Sequence, residues 1–433
     1  MTTNSAPENL NKPLTLKSGL TLPNRIAKGA TSEALADRDT GRPSEGLTNV
    51  YTQWGAGGAG LLITGNVIVD REGRTEPGNV ILRDERHLTE LKRWAEAAQA
   101  SGARLFMQIN HAGRQTPRRI TSQPVAPSAV PLKGFMGLFA TPRPLEHEEI
   151  VELIGRYATA ASVAQKAGFS GVEIHAAHGY LASQFLSPRT NLRDDRWGGD
   201  AERRRRFLIE IVRAIRAATG PNFSVAVKLN SADFQRGGFS EEESMAVVDA
   251  LEQEGIDLLE ISGGSYEQSA MMGATEKTTS KQTSTTLREA YFLDYAKKIR
   301  ARTKLPLMLT GGMRTVATME KVVAEGHVDI VGIARPLFVE PDLPHRLLNG
   351  SASSALQVKT AVGIKMLDDM LNLVWYQAQL RRMATGLRPR ANLGRLGALV
   401  SGYFLSYAFN PLSIAFAHKP APLTAPPKAI ENS

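Results

Sequence analysis

The stretch Ser224-Val-Ala-Val-Lys-Leu-Asn230 decides the fold, because this apolar, β-rich run is followed by a helical pattern over Ser240–Glu254. Ser240 and Glu243 form a capping box at the start of that helix. Seven other β-rich runs alternate with helical patterns in the same way: Arg25–Lys28, Gly60–Thr64, Arg104–Ile109, Gly171–His175, Leu258–Ser262, Pro306–Thr310 and Ile330–Ile333. Strict alternation implies a parallel sheet, and eight repeats predict an α/β fold of the (β/α)₈ TIM-barrel type.

Two further segments flank the predicted barrel. Pro13–Pro23, with Ser18-Gly19 at its centre, predicts an N-terminal hairpin that caps the barrel bottom. We expect residues 1–350 to form the barrel domain and residues 351–433 to form a C-terminal helical, basic extension with a disordered end. The chain carries a net charge of +9, and nine Lys/Arg against three Asp/Glu place most of it after residue 350.

The uncharged run Leu396–Ala417 leaves two interpretations open. Its 22 residues are long enough to span a bilayer, but they include Asn410, Pro411 and three serines. We favour packing against the barrel or a partner subunit in a homo-oligomer. The alternative is peripheral contact with a membrane surface, since basic residues flank the run.

Composition excludes several functional classes. The chain has no cysteine, which removes disulfides, thiolate nucleophiles, zinc–thiolate sites and iron–sulfur clusters. Met1–Lys12 has no apolar core like that of a secretory signal, so a cytoplasmic location is expected. Aromatic and basic residues are not interleaved as in a nucleic-acid groove, and we expect no nucleic-acid partner.

The segment His175-Ala-Ala-His178-Gly-Tyr180 carries the candidate chemistry. It follows a predicted strand, and residues at strand carboxyl ends face the functional mouth of a barrel. A helical turn would place His175 and His178 on one face, where both imidazoles could bind the same oxygen atom. The Tyr180 phenol adds a nearby proton. Two donors on one oxygen and an adjacent acid can polarise a carbonyl and protonate the neighbouring carbon. A zinc site is disfavoured because no third ligand accompanies the histidines, and a purely structural histidine pair is kept as a minor alternative.

Two glycine-rich segments could bind phosphate. Gly55-Ala-Gly57-Gly-Ala-Gly60 matches a dinucleotide fingerprint, but a helix precedes it and a strand follows, which is the wrong order. It is better interpreted as a turn at the barrel bottom. Gly311-Gly312 follows the seventh strand and Ala334-Arg335 follows the eighth, where barrels commonly bind phosphate.

Taken together, these motifs resemble the Old Yellow Enzyme family, in its NADH:flavin oxidoreductase/NADH oxidase branch. The resemblance covers about residues 13–350. It rests also on Asn24-Arg-Ile26, Gln108-Ile-Asn-His-Ala-Gly-Arg114, Phe185-Leu-Ser-Pro-Arg-Thr-Asn191, Arg196-Trp-Gly-Gly199 and Val227-Lys-Leu-Asn230.

The resemblance implies bound FMN, reduced by NADH or NADPH. It implies that Gln108 contacts the flavin pyrimidine edge and that Lys228 places its cation near N1 and O2. The remaining flavin-binding residues that it implies are Ala30, Ser32, Asn66, Gly311, Gly312, Ala334 and Arg335. Ser32 stands where relatives have Thr or Cys, and Lys228 where many have Arg, so the cation lacks a bidentate fork. Glu173 receives no role.

The resemblance also implies an ene-reductase, which reduces the C=C bond of a conjugated enone or similar α,β-unsaturated carbonyl compound. His175 and His178 then bind the substrate oxygen, and Tyr180 is the proton donor. Two alternatives remain at this point: a flavin dehydrogenase or amine oxidase that works in the oxidative direction, and a flavin-free scaffold that binds a membrane or a partner.

Overall fold

A closed barrel of eight parallel strands forms the centre of the molecule. The computed structural model describes residues 6–262 apart from 134, 136 and 234, residues 293–356 apart from 312, and residues 365–394. The barrel strands are β1 (Ile26–Lys28), β2 (Leu61–Ile63), β3 (Arg104–Asn110), β4 (Gly171–Ala176), β5 (Ser224–Asn230), β6 (Leu258–Ser262), β7 (Leu307–Thr310) and β8 (Ile330–Ile333). Each strand pairs in parallel with the next, and β8 pairs with β1 to close the barrel. The predicted (β/α)₈ barrel is confirmed.

The helices surround the barrel. They are α1 (Glu45–Ala56), α2 (Leu88–Gln99), α3 (His147–Lys166), α4 (Leu181–Leu186), α5 (Ala201–Thr219), α6 (Glu241–Gln253), α7 (293–300), α8 (Val316–Ala324), α9 (Leu343–Leu348) and α10 (Lys365–Ala384). The Ser240 side chain accepts from the Glu243 N–H, and the Glu243 carboxylate accepts from the Ser240 N–H, which confirms the capping box at α6. Gly102, Gly168, Gly220, Gly255 and Gly326 all have positive φ where helices end, as their positions predict.

The lower interior of the barrel is apolar and the N-terminal hairpin covers it. Leu14–Thr15 pairs antiparallel with Thr21–Leu22, and Gly19 adopts φ +87° in the turn. Buried Leu16 and Leu22 pack with inward residues of the strands, among them Phe106. The hairpin therefore caps the end opposite the polar strand termini, as predicted.

The glycine-rich segment Gly55–Gly60 lies between α1 and β2. Gly57 caps α1, and Gly58 adopts φ +89° before the chain enters β2. A Cβ at Gly58 would approach the His345 backbone to 2.9 Å, so this close turn has no room for a side chain at position 58. The structure supports a turn rather than a dinucleotide site.

Helix α10 packs on the outside of the barrel. Its Trp375 is buried, and Tyr376 contacts Phe338, which follows β8. The side chains of Asn49 and Gln53 on α1 donate to the main-chain oxygens of Ala384 and Met383 at the end of α10. The segment Leu396–Ala417 lies outside the described residues. None of the described helices combines the length and apolar character needed to cross a bilayer.

Candidate active site

His175, His178 and Tyr180 meet at the carboxyl end of β4. The ring centroids of His175 and His178 are 5.0 Å apart, and those of His175 and Tyr180 are 4.8 Å apart with nearly perpendicular planes. His175 and Tyr180 are buried, and His178 is half-buried. The sequence prediction that these three side chains share one mouth agrees with this arrangement.

The backbone that brings the histidines together is not a helical turn, so that part of the sequence argument is wrong. His175 belongs to β4, whereas His178 adopts the left-handed conformation with φ +59°. This conformation costs about 1–2 kcal/mol for a residue with a Cβ. The His178 N–H donates to Asn230 Oδ1 at 3.2 Å, which ties this strained turn to the end of β5.

Both imidazoles are held neutral. Burial, with help from the neighbouring Lys228 cation, lowers the pKa of His178 to about 3. Burial also lowers the pKa of His175 well below its usual value, and His178 and Lys228 act in the same direction. Nδ1 of His175 accepts from the Ala177 N–H at 3.2 Å, so the ring proton resides on Nε2. His175 therefore presents an N–H donor through Nε2.

Gln108 on β3 and Lys228 on β5 lie beside this group, inside the barrel. Gln108 Nε2 donates to Glu173 Oε2 at 2.6 Å, and Lys228 Nζ donates to Glu260 Oε1 at 2.8 Å. Lys228 stays cationic because Glu260 and Glu173 raise its pKa despite the burial that opposes it. Neither Glu173 nor Glu260 was predicted to be a site residue. The glutamate within the apolar strand β6 could have indicated a buried partner for Lys228.

A second polar cluster, also missed from sequence, holds the loop after β1. Lys28 is buried, donates to the Ile63 main-chain oxygen at 2.8 Å and lies 3.8 Å from Glu33. Glu33 accepts from the Tyr51 hydroxyl and, at 2.8 Å, from the Gly65 N–H. Burial outweighs Glu33 and lowers the pKa of Lys28 to about 8. The cluster thus joins the loops after β1 and β2.

Three predicted flavin residues lie on these loops. Ala30, Ser32 and Asn66 are half-buried. The Asn66 amide oxygen accepts from Asn110 Nδ2 at 3.1 Å, at the end of β3. The Ser32 main-chain oxygen is 3.5 Å from Gln377 Nε2 on α10. Helix α10 therefore reaches the loop that contains Ser32.

The predicted phosphate residues follow β7 and β8. Gly311 is exposed with φ +121°, and no atom lies within 4 Å of the position that a Cβ would occupy. Ala334 is half-buried, and the exposed Arg335 begins a short 3₁₀ helix, Arg335–Phe338. Gly312 lies outside the described residues. The open backbone at Gly311 and the exposed guanidinium of Arg335 suit an anion.

The donor set fits FMN. Gln108 commits its amide nitrogen to Glu173 and keeps its carbonyl oxygen to accept a bond, while Lys228 supplies a fixed cation. An open glycine backbone and an arginine stand on neighbouring strands for the phosphate. These are the binding groups that a flavin nucleotide needs from its protein.

Comparison with known proteins identifies the family. Residues 9–353 match the NADH:flavin oxidoreductase / NADH oxidase family. The chain belongs to this family. It is 38% identical over 354 residues to the NADH-dependent flavin oxidoreductase iliE of Neonectria sp., where the match covers 77% of this chain and 46% of that protein. It is 36% identical to iccE of Talaromyces variabilis, also named an NADH-dependent flavin oxidoreductase, over 87% of this chain and 98% of that one.

A solved structure agrees with the family. The Old Yellow Enzyme homologue from Zymomonas mobilis superposes with a TM-score of 0.68 at 27% identity, covering 82% of this chain and 95% of that one. The expected Old Yellow Enzyme class, the oxidoreductase activity, and the FMN and NADH cofactors are thereby confirmed. The flavin-free scaffold is not supported.

Proposed function

We propose that this flavoprotein reduces the C=C bond of α,β-unsaturated carbonyl compounds with electrons from NADH or NADPH. One observation carries the proposal: two neutral imidazoles with centroids 5.0 Å apart, next to a buried phenol, at the mouth of an FMN-type barrel. Reduction of a conjugated carbonyl compound requires hydrogen-bond donors to its oxygen and a proton donor to its α-carbon, and this group of side chains supplies both.

The imidazoles bind the carbonyl oxygen. His175 offers its Nε2 proton, because Nδ1 is occupied by the Ala177 N–H. His178 supplies the second donor through Nδ1, with its Nε2 accepting from the Ser262 hydroxyl that orients the ring. Because both rings are neutral, they donate hydrogen bonds without giving up a proton. The bonds withdraw electron density from the carbonyl and make the β-carbon electrophilic.

Tyr180 delivers the proton to the α-carbon. Its ring lies 4.8 Å from that of His175, so a carbonyl held by the histidines places the adjacent carbon near the phenol. Its own burial and that of His175 keep bulk water away from the proton transfer. When bound, FMN would supply the hydride chemistry that couples oxidation of the nicotinamide to reduction of the substrate.

The cofactor is held by residues of several strands. Gln108 and Lys228 bind the pyrimidine end of the ring, with Lys228 stabilising negative charge there. Ala30, Ser32 and Asn66 line the edge next to the β1 and β2 loops. Gly311, Gly312, Ala334 and Arg335 bind the phosphate.

The test is a pair of anaerobic stopped-flow experiments on the purified yellow protein. Mixing with NADH or with NADPH should bleach the flavin absorbance and thereby identify the donor. The reduced protein is then mixed with 2-cyclohexenone, with saturated cyclohexanone as the matched control. Reoxidation by the enone alone supports the proposal. Bleaching of the oxidised protein by an amine or an alcohol, without reoxidation by the enone, would instead establish the oxidative direction.

A further inference from the structure

Two carboxyl groups inside the barrel have no part in the proposed chemistry. Glu173 on β4 and Glu260 on β6 are completely buried, and each is the register partner on the neighbouring strand of Gln108 and Lys228, respectively. An isolated buried carboxylate is unfavourable by several kcal/mol or more, so a pair of them requires a physical explanation.

Each carboxyl group has one satisfied oxygen and one that lacks a partner. Glu173 Oε2 accepts from Gln108 and Glu260 Oε1 accepts from Lys228. Glu173 Oε1 and Glu260 Oε2 are both buried, and neither makes a hydrogen bond of good geometry with any described residue. The two carboxyl groups nevertheless lie within hydrogen-bonding contact of each other, and Thr310 is beside Glu260. Two ionised groups in this arrangement would repel each other strongly in the low-dielectric interior.

One proton between the two groups removes both difficulties. A protonated Glu173 can donate from Oε1 to Glu260, which satisfies the two oxygens and leaves a single negative charge opposite Lys228. The pKa shifts of the two groups agree with a proton on Glu173. Burial and the negative Glu260 raise the pKa of Glu173 well above its usual value. Burial opposes ionisation of Glu260, but Lys228, Glu173 and Thr310 together outweigh it and keep the pKa of Glu260 below its usual value.

We propose that Glu173 and Glu260 share one proton and that this acid–carboxylate pair is a positioning device for Gln108 and Lys228. The pair completes a chain of hydrogen bonds across four side chains, from Gln108 through Glu173 and Glu260 to Lys228. Because the Gln108 amide nitrogen is committed to Glu173, its carbonyl oxygen faces the cofactor. Because Glu260 is the single anion, Lys228 stays charged in a fixed place.

The positioning role rests on the proposed function, because it requires that Gln108 and Lys228 contact the flavin. The shared proton between Glu173 and Glu260 does not depend on those contacts. Infrared spectroscopy of the holoenzyme tests the proton by itself. A protonated carboxyl has a C=O stretching band that shifts in D₂O. In wild-type protein labelled with ¹³C-glutamate the band should shift, which separates glutamate from any buried aspartic acid.

Variants locate the band. It should vanish in Glu173→Gln, and also in Glu260→Gln, where Glu173 becomes the partner of Lys228 and ionises. The exposed Glu152→Gln on α3 is the matched control and should keep the band. A band that persists in Glu173→Gln, or that ¹³C-glutamate does not move in the wild type, would overturn the shared proton. Persistence of the band in Glu260→Gln would show that Glu173 keeps the proton without Glu260, and would overturn the sharing of the proton.

Positioning is tested by flavin affinity and midpoint potential. Gln at position 173 can accept from Gln108 and donate to Glu260, so Glu173→Gln should bind FMN within about twofold of wild type. Glu173→Ala releases Gln108 and should weaken FMN binding about tenfold, the equivalent of one hydrogen bond, and it should shift the flavin midpoint potential. If the band behaves as expected but Glu173→Ala and Glu173→Gln bind FMN equally well, the shared proton is supported and the proposed contact of Gln108 with the flavin is wrong.

Discussion

His178 Nε2 lies 2.7 Å from the hydroxyl oxygen of Ser262, which joins the strained turn after β4 to the end of β6. This bond orients a ring whose backbone is already held in the left-handed region. We expect Ser262→Ala to raise KM for an enone about two- to tenfold, the effect of one neutral hydrogen bond. Flavin reduction by the nicotinamide should be unchanged, and Ser262→Thr should restore the KM. Steady-state kinetics measures KM for each variant. An equal rise in KM for Ser262→Ala and Ser262→Thr would contradict orientation of the ring by the hydroxyl.

The proton donor is tested by Tyr180→Phe, which keeps the ring and removes the phenol. Because a positioned acid contributes roughly 10²–10⁴-fold, the rate of reoxidation by an enone should fall by about that factor. Reduction of the flavin by the nicotinamide should be almost unaffected, since it requires no proton from Tyr180. Stopped-flow measurement of the two half-reactions separates these effects. Equal losses in both half-reactions would contradict the assignment.

The phosphate site is tested by Arg335→Met, with riboflavin as a ligand that lacks the phosphate. A charge-assisted contact of Arg335 with phosphate contributes about 1.5–3 kcal/mol, so FMN affinity should fall by about 10- to 100-fold. Riboflavin affinity should stay the same. Arg302→Met, at an exposed arginine that pairs with Asp249, is the control and should change neither value. Fluorescence titration of the flavin-free protein measures both. A parallel loss for both ligands would place Arg335 away from the phosphate.

Buried neutral histidines predict a loss of stability in acid. Burial lowers the pKa of His111 to about 4, from an ordinary value of 6.5. Since the unfolded chain takes up the proton first, the stability from His111 is complete above about pH 6.5 and is lost as pH falls towards 4. His175 and His178 act in the same direction. Each histidine contributes a slope of at most about 1.4 kcal/mol per pH unit.

His111→Asn measures one of these slopes. The Asn side-chain oxygen can accept from the Gly113 N–H, as Nδ1 of His111 does at 3.0 Å. The free energy of unfolding of the variant, from denaturant titrations between pH 6.5 and 5, should depend on pH less steeply than that of wild type. Identical slopes in the two proteins would mean that His111 is not buried in its neutral form.

The Glu33 carboxylate predicts a stability effect on the loop after β1. The Tyr51 hydroxyl donates to Glu33, and Tyr51→Phe removes this bond to a buried charge. We expect a loss of about 1.5–3 kcal/mol in the free energy of unfolding, because hydrogen bonds to charged groups are the strong ones. Tyr157→Phe is the matched control, since no partner of the Tyr157 hydroxyl is found in the described part of the chain. Denaturant unfolding of both variants decides the question, and equal stability would refute the contribution.

Periodicity in the sequence was sufficient to predict the barrel. Strands such as Ser224–Leu229 lie within one residue of their observed ends, because buried parallel strands are short apolar runs between glycine turns. The short strands Val67–Ile68 and Val80–Ile81, which extend the sheet beside β3, were not predicted. Two residues provide too little pattern for such a prediction.

The polar partners inside the barrel could not be predicted in the same way. Glu260 and Lys228 are 32 residues apart and meet only because β5 and β6 pair in one register. Lys28 and Tyr51 approach each other because α1 packs against β1, which depends on tertiary structure. The left-handed turn at His178 was not predicted either, since positive φ is unusual outside glycine.

Helix α10 has a practical consequence for anyone who expresses this protein. The family match ends at residue 353, which invites a shortened clone. Such a clone would lack the helix whose Tyr376 covers Phe338 and whose Gln377 reaches the loop of Ser32. The shortened protein would expose the apolar surface around Phe338 to solvent, and we expect it to precipitate or to purify colourless, whereas the longer chain stays yellow.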